Sequence, residues 1–173
     1  IAVKFNIKFI IVSHSLKELL FCCDILIQLD KGKVINQGAS AHVAKAIYAN
    51  DRQTPLSLIN YDVVKFDEDY GLYQLQLQQS EQPLFVLPAL VDNSNKLIIE
   101  SDQMSFSALK PEQTTHSNVL RSVLTQAELI NNKWQLTLNV DGQTLYCLAS
   151  RRVWDKNDFK VGDVLYTTIS NLE

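Results

Sequence analysis

The chain has 173 residues, 46% of them hydrophobic and 20% charged, a composition typical of one or two soluble globular domains. Its formal net charge of −3 argues against a nucleic-acid binder that depends on phosphate contacts. The cysteines form neither a CxxC motif nor a Cys/His cluster, so we expect no disulfide framework, no metal site and a reducing cytoplasm.

The start of the chain shows neither a signal peptide nor a membrane span. No apolar run reaches the roughly 18 residues that a membrane-spanning helix needs. Lys4, Asn6 and Lys8 interrupt the apolar stretch at the N-terminus. The first residue is Ile1 rather than Met, so we expect a truncated or internally started piece of a longer protein.

The first predicted elements are a strand and a helix. Phe9 to Val12 is a continuous apolar run rich in β-branched residues, which predicts a strand buried on both faces of a parallel sheet. Ser15 and Glu18 fit a capping box, which predicts that a helix begins there. The apolar face of this helix has residues at helical spacing, namely Leu16, Leu19, Leu20 and Cys23.

A hairpin and a second helix follow. Ile25 to Leu29 predicts a strand, Asp30-Lys-Gly-Lys33 a turn, and Val34-Ile35 the returning strand. Ser40 can cap a helix over Ala41 to Ala49. Strand, helix and strand in this order are typical of the end of an α/β domain.

The character of the sequence changes near Asn50-Asp-Arg-Gln-Thr-Pro55. Beyond this polar stretch, short apolar runs alternate with turn residues, and helical periodicity is almost absent. We therefore predict an α/β portion over residues 1–50, a linker over 51–60 and an all-β domain over 61–173.

The β-domain contains an internal repeat. Tyr73-Gln-Leu-Gln-Leu77 corresponds to Trp134-Gln-Leu-Thr-Leu138, and with the same spacing Gln82-Pro-Leu-Phe-Val86 corresponds to Gln143-Thr-Leu-Tyr-Cys147. Alternating leucines give any two hairpins some similarity, but matched aromatic residues and glutamines favour a duplication.

Each copy of the repeat has about five short predicted strands. We place the copies at about 61–110 and 117–173. Strands of this number and length predict two small β-barrels of the oligonucleotide/oligosaccharide-binding (OB) type. The predicted fold is therefore an α/β portion followed by an all-β domain of two OB-like barrels.

The first fifty residues resemble the C-terminal end of an ABC ATPase domain. Val12-Ser-His-Ser15 is similar to the H-loop. Cys23-Asp-Ile-Leu26 is similar to the family's Ala-Asp-Arg-Ile segment, and Leu29-Asp-Lys-Gly-Lys-Val34 with Gly38 is similar to the hairpin and glycine that follow it. The resemblance implies that His14 is a catalytic residue that contacts the γ-phosphate of ATP in the intact protein. A histidine that only caps a strand end is the alternative.

The chain carries no other motif of such an ATPase. It has no GxxxxGK[ST] loop for phosphates, no acidic strand for magnesium and no ABC signature. In the family these motifs lie upstream of the position of Ile1. ATP and magnesium are therefore expected as cofactors of the intact protein only, and we predict no ATPase activity for this chain alone.

The β-domain resembles a TOBE or molbindin-type (Mop) domain. The resemblance rests on Asn118-Val-Leu-Arg121, the Asp141-Gly142 turn and Lys160-Val-Gly-Asp-Val164. Ile99-Glu-Ser-Asp-Gln-Met-Ser105 is similar to the closing strand of a preceding TOBE copy. Together the two resemblances imply the C-terminal part of the ATP-binding subunit of an ABC importer for molybdate.

The resemblance also implies an oxyanion site, for molybdate or tungstate. The molbindin pattern Ser-Ala-Arg-Asn is Thr115-His-Ser-Asn118 here, so Ser117 replaces its arginine, and Ser170 replaces a lysine of the family. Hydroxyl and N–H donors suit oxyanions. The candidate donors are Thr115, Ser117, Asn118, Ser150 and Ser170. A domain kept only for dimer contact or regulation is the alternative.

Two functions follow as hypotheses. In the first, the chain is part of a transport ATPase on the inner face of the cell membrane. Its partners are a membrane permease and a second ATP-binding subunit, and the leucine-rich hairpins contribute to that pairing. In the second, the chain is a stand-alone molbindin-like module that binds or senses an oxyanion. In both, we expect residues 1–50 to be less stable than the β-domain.

Overall fold

The computed structural model describes residues 8–51, 55–92 and 94–173. In these residues the protein is mostly β-structure, with eleven strands and three α-helices. The chain divides into two compact units, Ile1–Ala46 (unit 1) and Ile47–Glu173 (unit 2). None of the helices in the described residues is long and apolar enough to cross a membrane.

Unit 1 is built around one hairpin. Helix α1 (Leu16–Cys22) precedes strands β1 (Ile25–Asp30) and β2 (Lys33–Ala39), and helix α2 (Ser40–Asp51) begins directly after β2. The two strands are antiparallel and turn through Lys31 and Gly32, both with positive φ. The predicted hairpin and both predicted helices are therefore confirmed.

Ser15 caps α1 as predicted, but Glu18 does not complete the capping box. The Ser15 hydroxyl accepts a hydrogen bond from the Glu18 backbone N–H at 3.3 Å. The Glu18 carboxylate accepts from the Ser13 hydroxyl at 3.0 Å, and the Ser13 oxygen accepts from the Ser15 N–H at 3.0 Å. Ser13 therefore satisfies the N–H group that the predicted box assigned to Glu18.

The predicted strand Phe9–Val12 is wrong. Residues 8–13 have no regular secondary structure, and the side chains of Ile10 and Val12 are 96% and 91% exposed. A strand buried on both faces needs neighbours to pair with. No strand in the described part of the chain pairs with this run, so its apolar composition alone does not make it β-structure.

Unit 2 contains two antiparallel sheets. Their strands are β3 (Leu56–Asp67), β4 (Leu72–Leu77), β5 (Pro83–Val86), β6 (Lys96–Glu100), β7 (Met104–Ser107), β8 (Val119–Ile130), β9 (Lys133–Val140), β10 (Gln143–Ser150) and β11 (Val164–Ile169). One sheet has the order β5-β4-β3-β6 and the other β10-β9-β8-β11-β7. Helix α3 (Arg151–Asn157) lies between β10 and β11.

The predicted linker over 51–60 is mostly structured. Helix α2 continues to Asp51, and β3 begins at Leu56. Residues 56–60 pair with β6, and the side chains of Ser57 and Ile59 are completely buried. The polar stretch that suggested a linker is followed at once by an alternating strand whose inward positions include a small serine.

The two copies of the repeat share one core. Strand β7 belongs to the first copy by sequence but pairs with β11 of the second. Leu75 and Leu84 of the first copy lie in the same hydrophobic cluster as Leu136 and Leu145 of the second. The two copies are therefore interlocked, and residues 110–117 do not separate two independent cores.

The copies also share a backbone irregularity. Strand β3 pairs with β4 through a bulge at Val64, and β8 pairs with β9 through a bulge at Thr125. These two residues correspond under the spacing that relates the leucine hairpins. A bulge bends a strand and increases its twist, so both copies curve at the same point.

The hairpins of the two copies differ in register by two residues. Leu84 lies opposite Leu75, whereas its counterpart Leu145 lies opposite Leu138. A shift of two leaves every side chain on the same face of its sheet. The hairpin leucines of both copies are accordingly completely buried. The leucines themselves are therefore not available to contact a second chain, so a contribution of the hairpins to pairing would have to use their other side chains.

Candidate functional site

His14 lies on the exposed segment before α1. It is two residues from the first residue of that helix, and its side chain is exposed. No hydrogen bond or ion pair joins His14 to another residue that the structure describes. Its ring therefore caps none of the residues that the structure describes.

Three of the five predicted oxyanion residues lie together. Ser117 and Asn118 precede the first residue of β8, and Ser170 follows the last residue of β11. Because these strands are antiparallel neighbours, the three residues lie at one end of the pair. The Ile169 N–H donates to the Asn118 carbonyl at 2.9 Å, which ties the two segments together.

Ser150 lies elsewhere in the same sheet. It ends β10 opposite Lys133, and Lys133 lies opposite Ile130, the last residue of β8. Ser117 precedes the first residue of that strand. Ser150 therefore lies level with the last residue of β8, at the opposite end of that strand from Ser117, and is not grouped with the other predicted donors. Thr115 is exposed in the loop before Ser117.

Most of the predicted donor side chains already have structural partners. Asn118 is completely buried, and its amide accepts from the Phe85 N–H at 2.7 Å and donates to the Phe85 carbonyl at 2.8 Å. The Ser170 hydroxyl donates to the Gln103 carbonyl at 2.9 Å. The Ser150 hydroxyl accepts from the Val153 N–H at 3.2 Å and caps α3. A hydroxyl that donates its only proton, like that of Ser170, cannot donate to an anion.

One backbone N–H group at this end of the β8–β11 pair already donates to a carboxylate. The Ser117 N–H donates to the Glu173 side chain at 2.8 Å. This is the kind of contact that an oxyanion makes with a backbone N–H. Sequence reasoning missed Glu173, since nothing in the local sequence indicates that the segment after β11 returns to the loop before β8.

The matched glutamines lock the two copies together. The Gln82 amide donates to the Arg121 carbonyl at 3.0 Å and accepts from the Arg121 N–H at 2.6 Å. The Gln143 amide donates to the Asn60 carbonyl at 2.8 Å and accepts from the Asn60 N–H at 2.6 Å. Each glutamine therefore binds a backbone position of the other copy, and the two positions correspond.

A second pair of contacts obeys the same symmetry. Asn118 binds the backbone of Phe85, and the hydroxyl of its counterpart Ser57 accepts from the N–H of Tyr146, the counterpart of Phe85, at 2.8 Å. The sequence repeat identified the glutamines but not their partners. The signal was the match itself, because a polar glutamine repeated at the same position of both hairpins indicates a shared structural role.

The Asp141-Gly142 turn packs on the first hairpin. The Asp141 carboxylate accepts from the Ser80 hydroxyl at 2.6 Å and from the Gln82 amide at 2.9 Å. These hydrogen bonds lower the pKa of Asp141, and the nearby Arg121 charge adds to the effect, while partial desolvation opposes it. A Cβ at Gly142 would lie 2.7 Å from the Gln79 carboxamide oxygen, and the positive φ there also favours glycine.

The cysteines show no arrangement for catalysis or metal binding. Burial raises the pKa of the Cys147 thiol to about 12, so it remains a protonated core side chain. Cys22 is exposed and Cys23 half-buried, and both are free. The described residues contain no group of three or more His, Cys, Asp or Glu side chains that could hold a metal ion.

Comparison with known proteins identifies relatives of the whole chain. No family model matches it. Molybdenum import ATP-binding protein ModC of Haemophilus influenzae is 27% identical over 169 residues, which cover 95% of this chain and 48% of that protein. The protein of the same name from Escherichia coli K12 is 28% identical over 172 residues, 96% of this chain and 48% of that protein.

The chain is thus homologous to these proteins over nearly its whole length and spans about half of theirs. Among solved structures, the cytoplasmic molybdate-binding protein ModG with molybdate bound is similar over 66% of this chain and 88% of that chain. The TM-score is 0.49 and the sequence identity 10%.

Proposed function

We propose that this chain is the C-terminal part of the ATP-binding subunit of an ABC importer for molybdate. The observation that carries the proposal is the homology to molybdenum import ATP-binding proteins over 95% and 96% of the chain. It covers both the H-loop-like segment and the duplicated β-unit. The intact subunit would couple ATP hydrolysis to oxyanion import on the inner face of the cell membrane.

His14 would serve the ATPase of the intact subunit. It is exposed and has no partner among the described residues, so it can reach a phosphate supplied by the rest of the site. A neutral or charged imidazole next to the γ-phosphate can orient water and stabilise developing charge. ATP and magnesium would be held by groups outside this chain, which alone would release no phosphate.

The test of the proposal compares two exposed histidines of the chain. Replacement of His14 by alanine in the full-length gene should reduce molybdate uptake from limiting medium by about 100-fold or more. His42→Ala changes an exposed histidine on α2 and should leave uptake unchanged. Equal molybdate uptake by the two variants would contradict the proposal. So would a His14→Ala variant that still takes up molybdate but no longer takes up a different anion.

The proposed partners are a membrane permease and a second ATP-binding subunit. Unit 2 would regulate or pair these subunits. Its hairpin leucines are buried, so pairing would use other surfaces of the unit. The molecular mass in solution of the full-length subunit, measured with and without residues 55–173, tests the pairing role. A subunit that still dimerises without these residues would contradict it.

The second candidate is a molbindin-like oxyanion-binding or sensing module. It is favoured by the interlocked β-unit, which forms one buried core from its own two copies. The oxyanion would bind at the end formed by Thr115, Ser117 and Ser170, where Glu173 now accepts from the Ser117 N–H. The side chains of Ser170 and Asn118 would contribute only if their present partners were exchanged, and Ser150 lies at the other end of β8.

Calorimetry of the chain with sodium molybdate, and with sulfate as the control anion, tests this candidate. Glu173→Gln removes the competing charge and should tighten molybdate binding by about tenfold, since a charged acceptor is replaced by a neutral one. Binding of molybdate without any effect of Glu173→Gln would place the anion at another site.

A further inference from the structure

The two copies of the repeat are closed differently at one end. In the second copy, β10 is followed by helix α3, and the ring of Trp154 from this helix stacks on Trp134 of β9 with centroids 4.5 Å apart and planes at 23°. In the first copy, the corresponding strand β5 is followed only by a 3₁₀ turn, Pro88–Leu90. The described residues of the first copy therefore form no α-helix at the position of α3.

At this end of the first copy, one aromatic ring on the core-facing side of the sheet stays largely in solvent, next to a half-buried one. Tyr73 corresponds to Trp134 and lies on the same face of its strand as the buried Leu75. Phe66 lies directly opposite Tyr73, with ring centroids 4.9 Å apart. Although it is on the core-facing side of the sheet, Phe66 is 45% exposed, and the nearby Tyr70 is 78% exposed.

The charges of the two ends are opposite. The turn next to Phe66 carries Asp67, Glu68 and Asp69, and Lys65 is the only basic residue between Asp62 and Asp69. The helix that covers the corresponding face in the second copy is basic. Among its seven residues are Arg151, Arg152 and Lys156, with Asp155 as the acidic one.

We propose that the open end of the first copy binds a short basic helix with an aromatic anchor, presented by another protein. The anchor would stack on Tyr73 and Phe66 as Trp154 stacks on Trp134. Its basic residues would lie over the turn formed by Asp67, Glu68 and Asp69. The molecule thus contains its own template for the partner, because α3 covers the corresponding face of the second copy.

Burial of the two rings would supply the affinity, and the charges would supply the orientation. Aromatic anchors in pockets account for most of the energy of such contacts. Complementary charge at the rim selects the partner and speeds association. A neutral or acidic helix would meet the acidic turn unfavourably and would be rejected.

The probe is an acetylated synthetic peptide with the sequence of residues 150–160. It is titrated to about 1 mM into the ¹⁵N-labelled full chain, and amide shifts are followed by NMR, since a single short helix of this kind binds weakly. The amides of Phe66, Tyr70 and Tyr73 should shift, while the indole signal of Trp134 should not. The absence of shifts at 1 mM would overturn the proposal.

Two substitutions separate specific docking from adhesion. A peptide with alanine in place of its tryptophan should bind at least about tenfold more weakly. Glu68→Lys in the chain should also weaken binding, whereas Glu128→Lys, an exposed acid of the second copy, should not. Shifts that survive both changes would overturn the proposal.

A competing occupant is a second copy of this chain. Sedimentation of the chain from about 10 μM to 1 mM detects such self-association. A monomer throughout this range, together with the peptide shifts, supports a heterologous helix. Dimerisation that Phe66→Ser abolishes would assign the same surface to self-association and would overturn the proposed partner.

Discussion

One face of strand β1 in unit 1 leaves its isoleucine and leucine side chains exposed, whereas the inward-facing leucines of β9 in unit 2 are buried. In β1, Ile25, Ile27 and Leu29 are all more than half exposed, whereas Leu136 and Leu138 of β9 are completely buried. Among its described residues unit 1 has one two-stranded sheet, in which Leu26 on one face of β1 is buried while Ile25, Ile27 and Leu29 on the other face stay uncovered. In unit 2 the two sheets cover each other, so the same residue types form a core.

The contrast predicts a large difference in local stability between the units. The amides of β9 and β10 should exchange with solvent at least about a hundredfold more slowly than those of β1 and β2, because few buried contacts oppose opening of the isolated hairpin. Hydrogen exchange read by mass spectrometry or NMR measures this. Slower exchange in residues 9–29 than in 134–147 would reverse the comparison.

Removal of one buried side chain should destabilise unit 2 strongly. Leu136 is 0% exposed, so Leu136→Ala should lower the free energy of unfolding by about 2–5 kcal/mol. Urea unfolding followed by tryptophan fluorescence reports on this unit, since Trp134 and Trp154 both lie in it.

Leu109→Ala is the matched control for that experiment. Leu109 is in the same unit but 81% exposed, so its loss should change the free energy of unfolding by less than about 0.5 kcal/mol. Similar losses for Leu109→Ala and Leu136→Ala would contradict the assignment of the core.

The lock between the two copies should contribute less than the core. Gln143→Ala removes the partner of the Asn60 N–H and carbonyl and should lower the free energy of unfolding by about 1–2 kcal/mol. Gln82→Ala should have an effect of similar size because it makes the corresponding contacts. Gln113→Ala, in an exposed loop, serves as control, and equal stability of all three variants would argue against the lock.

Asp141 should make the smallest contribution, and it should depend on pH. Its pKa is lowered in the folded protein, so its stabilising effect is present above the unfolded value near 3.8 and disappears as the pH falls through the lower folded value. Asp141→Asn should therefore destabilise unit 2 at pH 7 by less than about 1 kcal/mol.

The measurement for Asp141 is the urea midpoint between pH 7 and pH 2.5. The difference between wild type and Asp141→Asn should shrink toward the acidic end of this range. Asp69→Asn, in the exposed turn of the first copy, is the control. A difference that stays constant with pH would assign the effect to packing rather than to the charge.

Local sequence patterns predicted several elements accurately. The hairpin of unit 1, both of its helices and the paired strands of the leucine hairpins follow from turn residues, caps and alternation. They were predictable because their hydrogen bonds join residues that are near in sequence. The strand Phe9–Val12 was not, because a buried parallel strand depends on partners that are remote in sequence.

The candidate site was predictable only in part. Thr115, Ser117 and Asn118 are adjacent in sequence, and Ser170 joins Ser117 and Asn118 through the pairing of β8 with β11. Asn118 hydrogen-bonds to the backbone of Phe85, and the Ser117 N–H donates to Glu173. Both hydrogen bonds join residues that are more than thirty positions apart in the sequence. No local pattern indicates such contacts.

By itself, the sequence determined the repeat, the alternation that buries the hairpin leucines and the likeness to importer subunits, because these depend on residue type and spacing. The tertiary structure decided that the copies interlock, that each matched glutamine binds the backbone of the opposite copy and that a helix closes the second copy, with none at that position in the described part of the first. These features require two distant segments to meet. Which segments meet is set by the packing of the whole unit, since a buried face must be covered and each buried N–H must find an acceptor.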